Sequence, residues 1–206
     1  MKVKGSAPRA LLILLLFNLS ASLACANSGS QDNTADIVAI DQLWSGYAHK
    51  LDAADAQGIA ELFIPGGGYV LMHIDPQTQR SKPMGYSPIT TGHGTGGVPG
   101  GGCKALGHKA IVNFLTNIGL GNNHPRAPLD HHIITSKWIE VRGNTATMEA
   151  YWMIVEGRDP AAGRMTPTMK DSGKYDVTFV RTPEGWKVDQ ERVIFDLDMP
   201  TYPCRN

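Results

Sequence analysis

The segment DHHIITSKWIEVRGNTATMEAYWMIVEG (residues 130–157), followed after a polar interruption by SGKYDVTFVRTPEGWKVDQERV (residues 172–193), decides the fold. Apolar and polar residues alternate through most of it, and the turn-forming runs Arg142-Gly143-Asn144 and Thr182-Pro183-Glu184-Gly185 break the alternation. That pattern predicts long antiparallel strands joined by hairpins, each with one face toward a core. The strands fall at residues 129–141, 146–157, 173–181 and 186–195. Two adjacent histidines, His131 and His132, open the first of them. Successive strand side chains point to opposite faces, so one of the two faces inward, and which one is left open by the pattern.

Upstream of this block the periodicity changes. Ile37, Ile40, Leu43, Trp44, Tyr47 and Leu51 recur at three- and four-residue spacing, which predicts an amphipathic helix closed by Asp52. Asp55 is placed to cap a second short helix whose apolar side is Ile59, Leu62 and Phe63, with Pro65 and the run Gly66-Gly67-Gly68 as its stop. Residues 69–74 read as a strand, with Tyr69, Leu71 and His73 on one face. Residues 75–107 carry most of the turn chemistry and read as an inserted, glycine-rich segment, a long loop or a decorated hairpin. A third helix is expected over 108–117, with Ile111, Phe114 and Leu115 buried. The sum is an α+β domain over residues 35–198, a cone-shaped, curved antiparallel or mixed sheet wrapped around about three helices, ending in a short tail at 199–206.

Net charge is zero, so no basic excess favours nucleic acid or an anionic membrane as a partner. The first 26 residues combine a basic start, an apolar run too short to span a bilayer and the small-x-small site Ala24-Cys25-Ala26, which reads as a secretory signal peptide followed by a polar tether at 27–34. Leu23-Ala24-Cys25 also resembles a lipobox, so lipid anchoring at Cys25 is the rival to simple cleavage. Either route exports the chain, to the periplasm or beyond, and in an oxidising compartment Cys103 and Cys204 are a plausible disulfide.

A sheet wrapped round helices encloses a conical cavity, the default ligand site of a small domain. The polar groups expected to face it are Asp52 at the end of the first helix, Tyr69 and His73 on the first strand, His132 or His131 on the second, and Tyr175 on the fourth; Tyr47 and Trp152 are further candidates for contact with a ligand. A carboxylate and an imidazole facing each other across an apolar pocket can shuttle a proton between two positions of a bound molecule without a cofactor. No metal is expected, because none of the seven histidines makes a spacing that places ligands on one face. Gly92-His93-Gly94-Thr95-Gly96-Gly97 matches GxGxxG in letters alone, with no strand leading into it and no apolar helix following at once.

Four blocks, LWSGYAHKLDAADAQGIAELF (43–63), GHKAIVNFL (107–115), HHIITSKWIEVRGNTATMEAYW (131–152) and GKYDVTFVRTPEGWKVDQERV (173–193), resemble in that order the SnoaL-like proteins of the nuclear transport factor 2 superfamily, nearest the branch of scytalone dehydratase and polyketide cyclases. The resemblance implies a conical α+β fold and, in the dehydratase, an aspartate ending the first helix and two histidines on successive strands. Asp52 matches the aspartate, and His132 or His131 matches the first histidine. The second histidine falls near residues 156–158, where this chain has none, and the tyrosine that precedes the family's aspartate is Leu51 here. Two functions follow as expectations. One is a cofactor-independent lyase or isomerase with Asp52 and His132 as its acid-base pair, acting on a small hydrophobic oxygenated molecule. The other is a binding or scaffolding protein of the same fold. A homodimer or trimer through the outer sheet face, with Trp138 or Trp152 exposed there, is also expected.

Overall fold

The computed structural model describes residues 32–86, 104–116, 130–158, 166–196 and 201–202. In chain order these form α1 (Thr34–Asp52), α2 (Ala56–Ala60), β1 (Phe63–Ile74), β2 (Ser81–Pro83), β3 (Gly85–Tyr86), β4 (Lys104–Leu106), α3 (His108–Leu115), β5 (Asp130–Arg142), β6 (Thr145–Arg158), β7 (Thr166–Thr182), β8 (Gly185–Phe195) and β9 (Thr201–Tyr202). The signal-peptide reading, Cys25, the GxGxxG letters, Cys103 and Cys204 all lie outside the described residues.

The main sheet runs β2-β1-β8-β7-β6-β5, with β4 on β1. Every pair is antiparallel except β1 with β8, which is parallel, so the sheet is mixed. A register shift in β1 between Phe63 and Gly68 and three further bulges bend it. One lies in β5 between Thr135 and Trp138, where Ser136 takes a positive φ, one in β7 near Lys170, and one in β8 at Asp189. Extra residues on one strand of a pair increase local twist and turn a flat sheet into a cone. Into its concave side α1 lays the stripe Ile40, Trp44, Tyr47 and Leu51, all buried. The helix is held near its start by Asp36, which pairs with Arg181 and accepts from Trp186 Nε1 at 3.1 Å.

Several boundaries differ from the sequence reading. α2 stops at Ala60, and Phe63 belongs to β1, opposite Val188, so Leu62 and Phe63 are not helical. Pro65 and the three glycines therefore sit inside a strand. There the missing side chains let backbones meet, since a Cβ on Gly68 would lie 2.0 Å from the Ala105 carbonyl oxygen. The insertion holds three short strands, β2 returning antiparallel along β1 as the decorated-hairpin reading has it, and the tail comes back to it, Thr201 and Tyr202 pairing in parallel with Gly85 and Tyr86. β7 starts at Thr166, inside the stretch read as a polar interruption. Of the two tryptophans expected on the outer face, Trp138 is 69% exposed and Trp152 is buried.

Gly173 lies where β7 crosses Trp152. A Cβ there would stand 2.0 Å from the Ile194 carbonyl oxygen and 2.8 Å from the Trp152 ring. Gly173→Ala is therefore expected to cost about 2–3 kcal/mol, read as a lower urea midpoint at unchanged slope. A loss below about 0.5 kcal/mol would mean that β8 moves aside freely.

Candidate active site

The end of α1 and the start of β5 meet at one carboxylate. After Asp52 the chain reverses through Ala54, a non-glycine residue at φ 54, with backbone bonds from Ala53, Ala54 and Asp55 back to the carbonyls of the last helical turn. Asp55, not Asp52, caps α2, accepting from the Gly58 N–H at 2.8 Å. Asp52 thus has no capping duty, and its side chain turns to β5. That strand ends the sheet, so alternate N–H groups lack a strand partner. Asp52 Oδ1 accepts the backbone N–H of His132 at 3.0 Å and lies 2.8 Å from His132 Nδ1. The His132 side chain is 9% exposed and that of Asp52 25%.

This contact sets the chemistry of the ring. With Nδ1–H donating to the carboxylate, the neutral imidazole carries its lone pair on Nε2, and a proton taken there is stabilised by the charge behind it. The ambiguity between the two histidines is thereby resolved in favour of His132 as the inward one. His131 points outward and is 63% exposed, yet its Nδ1 comes within 3.6 Å of Asp52 Oδ2. An edge strand allows both, because the carboxylate reaches it from the side.

The other expected residues all lie on the inside of the cone. Tyr47, Tyr69, Trp152 and Tyr175 are buried, as is His73. They are packed ring to ring. Trp44 stacks on Tyr47 at 4.4 Å and meets Tyr175 edge-on at 5.3 Å, and Trp152 lies 5.7 Å from Tyr175. In this ring cluster sits a residue the sequence reading passed over. Glu191 is 0% exposed. Its Oε1 accepts the Tyr47 hydroxyl at 2.9 Å, and Tyr69 in turn donates to the Tyr47 oxygen at 3.2 Å. Burial pushes the Glu191 carboxyl well above the usual carboxylate range, the Tyr47 bond opposing only in part. Burial, and then the nearby Glu191 charge, push Tyr47, Tyr69 and Tyr175 well above the tyrosine range. Tyr175 also feels the charge of Asp52.

Asp171 was missed as well. It is opposite Ile154, which is opposite His132, so the three form one row across β7, β6 and β5 on the inner face. Partial burial raises its carboxyl above the ordinary aspartate range, the Ser172 N–H opposing. No group of three His, Cys, Asp or Glu side chains among the described residues is placed to hold a metal ion. A cleft of about 470 Å³ opens away from the dyad, between the first turns of α1 and β5, lined by Ile37, Val38, Asp41, Lys137 and Trp138 among others.

A cone-shaped α+β domain with a carboxylate–imidazole pair at the helix end is what fold and site define. The family model described as a SnoaL-like domain matches residues 32–192, and the chain belongs to that family. No curated protein matches it. Among solved structures it is similar to an NTF2-like protein with a cystatin-like fold from Novosphingobium aromaticivorans, at 20% identity over 80% of this chain and 84% of that one, TM-score 0.53. It is similar too to ActVI-ORFA from Streptomyces coelicolor, at 16% identity over 79% and 98%, TM-score 0.55. A third is Aln2 from a Streptomyces species, at 14% identity over 80% and 91%, TM-score 0.54. At these identities the likeness is one of fold.

Proposed function

We propose that this protein is a cofactor-independent lyase or isomerase, of dehydratase or cyclase type, in which His132 moves a proton on a small hydrophobic oxygenated molecule. The observation that carries this is the 2.8 Å contact of Asp52 Oδ1 with His132 Nδ1. The carboxylate is held by a backbone N–H as well, so the imidazole is oriented before any ligand arrives. In a dehydration, Nε2 takes a proton from the carbon beside a ketone. The imidazolium then returns it to the departing hydroxyl, which leaves as water, so the histidine ends as it began. The Asp52 carboxylate, on the far side of the ring, stabilises the cation. Export through the N-terminal segment and a Cys103–Cys204 disulfide belong to the same proposal.

The alternative is an exported binding or scaffolding protein of this fold. It is favoured by the fill of the cone, where Trp44, Tyr47, Tyr175 and Trp152 touch ring to ring. The test is turnover of a panel of hydroxylated polycyclic ketones followed by mass spectrometry, in wild type and in Asp52→Asn. Loss of water or rearrangement by wild type alone supports the enzyme. Equal turnover by both would remove Asp52 from the mechanism, and a bound but unchanged compound would support the binder.

A further inference from the structure

The two oxygens of Asp52 face different rings. Oδ1 takes the His132 backbone N–H at 3.0 Å and stands 2.8 Å from the ring Nδ1 of the same residue. Oδ2 faces His131, whose Nδ1 is 3.6 Å away. The rings lie on opposite faces of the edge strand β5, His132 9% exposed and His131 63%. A separation of 3.6 Å is too long for a hydrogen bond from a neutral ring, yet it becomes an ion pair once that ring is protonated. Solution pH therefore makes or breaks the Oδ2 contact, through a residue type that changes charge between about pH 5 and 8.

The charged surroundings are few. Across the sheet from His131 stand Val155 and then Met169, neither of them ionisable, with Lys170 next to Met169 on β7. The last turn of α1 holds His49 and Lys50, and Lys50 is drawn to Asp55 at 3.2 Å. Along β5 the ionisable neighbours are Asp130, opposite Glu156, and His132 itself. Among the described residues only the two histidines form ion pairs with Asp52. One negative charge thus serves two prospective cations. The second imidazolium to form meets a like charge and a counter-ion already answered. The exposed ring takes a proton without giving up its water, whereas the enclosed one must give it up.

We propose that His131 tunes the base: its imidazolium, drawn to Asp52 Oδ2 as pH falls, answers the carboxylate from outside and keeps His132 unprotonated to lower pH than Asp52 alone would permit. His131 touches no reacting atom and is a positioning residue that acts through Asp52. The catalytic consequence rests on the reading of His132 as the base; the sharing of Asp52 does not.

The experiment follows the ring titrations of the full chain by NMR between about pH 5 and 8, in wild type, His131→Gln and His131→Lys. In wild type the His132 curve should be flatter than that of a single proton, because a second charge forms beside it within the same range. In His131→Gln it should regain the one-proton slope with its midpoint higher by about half a pH unit, the size expected for like charges partly screened by water. His131→Lys, which keeps a cation there, should return the midpoint to the wild-type value or below. Initial rates of His131→Gln on the best ketone of the panel should be about threefold below wild type at the acid end and equal to it at the alkaline end. The flattened wild-type curve holds the proposal to account even if a variant fails to fold. A one-proton curve in wild type, a His132 midpoint unmoved by His131→Gln, or one raised alike by Gln and Lys, would each overturn it. A raised midpoint in a protein that turns nothing over would sink the enzyme reading alone. Turnover that needs Asp52, with a His132 midpoint indifferent to both variants, would sink the tuning alone.

Discussion

Asp52→Asn is expected to give a folded protein with near-native stability whose turnover of the best ketone in the panel falls by about 10²- to 10⁴-fold. In the wild type one oxygen, Oδ1, accepts both the His132 backbone N–H and the ring nitrogen. An asparagine can present its carbonyl oxygen at that position and keep both bonds, which is why stability should survive. What it cannot supply is the charge that stabilises a protonated imidazole. If the amide instead turns its NH₂ toward Nδ1, the ring is forced into the tautomer with its proton on Nε2, and the base is lost outright. Circular dichroism and a urea titration check the fold, and initial rates against pH check the chemistry. A variant with wild-type rates and an unchanged pH profile would show that Asp52 only anchors the edge of β5.

Glu191→Gln should make the domain more stable than wild type at pH 7 and no more stable at pH 4. Below the ordinary glutamate value of about 4.3, the carboxyl is protonated in the folded and unfolded chain alike. Above it the unfolded chain releases the proton while the buried site, its affinity for the proton raised by enclosure, retains it. Stability then falls by about 1.4 kcal/mol per pH unit, from that value up to the raised folded one. Glutamine keeps the acceptor for Tyr47 and has nothing to ionise, so its curve lacks this slope. Urea midpoints measured at pH 4, 5, 6 and 7 for both proteins give the difference directly. Parallel curves would mean that Glu191 ionises in the folded protein as it does in water.

The strands carrying the site were legible because one face of each is buried. Ala146, Met148, Ala150 and Trp152 alternate with exposed residues along β6, and Tyr175, Val177 and Phe179 alternate with half-buried ones along β7. The buried stripe of α1 was legible for the same reason at helical spacing. Glu191 was not. Counting by twos from Trp186 and Val188 places Gln190 and Arg192 inside, and only the extra residue at Asp189 reverses the phase and turns Glu191 inward. The bulge in β5 acts in the same way on the histidines: counting by twos back from Val141 and Ile139 places His131 inside, and the extra residue between Thr135 and Trp138 reverses the phase and turns His132 inward. The carboxylate that meets it comes from α1, whose last residue reaches the open edge of the sheet.

Period and composition by themselves determined the α+β class, the helix stripe and the hairpins. These are properties of neighbouring residues and need no distant partner. The tertiary structure alone decided that His132 is the inward ring, that Asp52 is released from capping by Asp55, and that a carboxyl is sealed among tyrosines. Each depends on contacts between residues far apart in the chain, 80 positions for Asp52 and His132 and 144 for Tyr47 and Glu191, where local pattern carries no information.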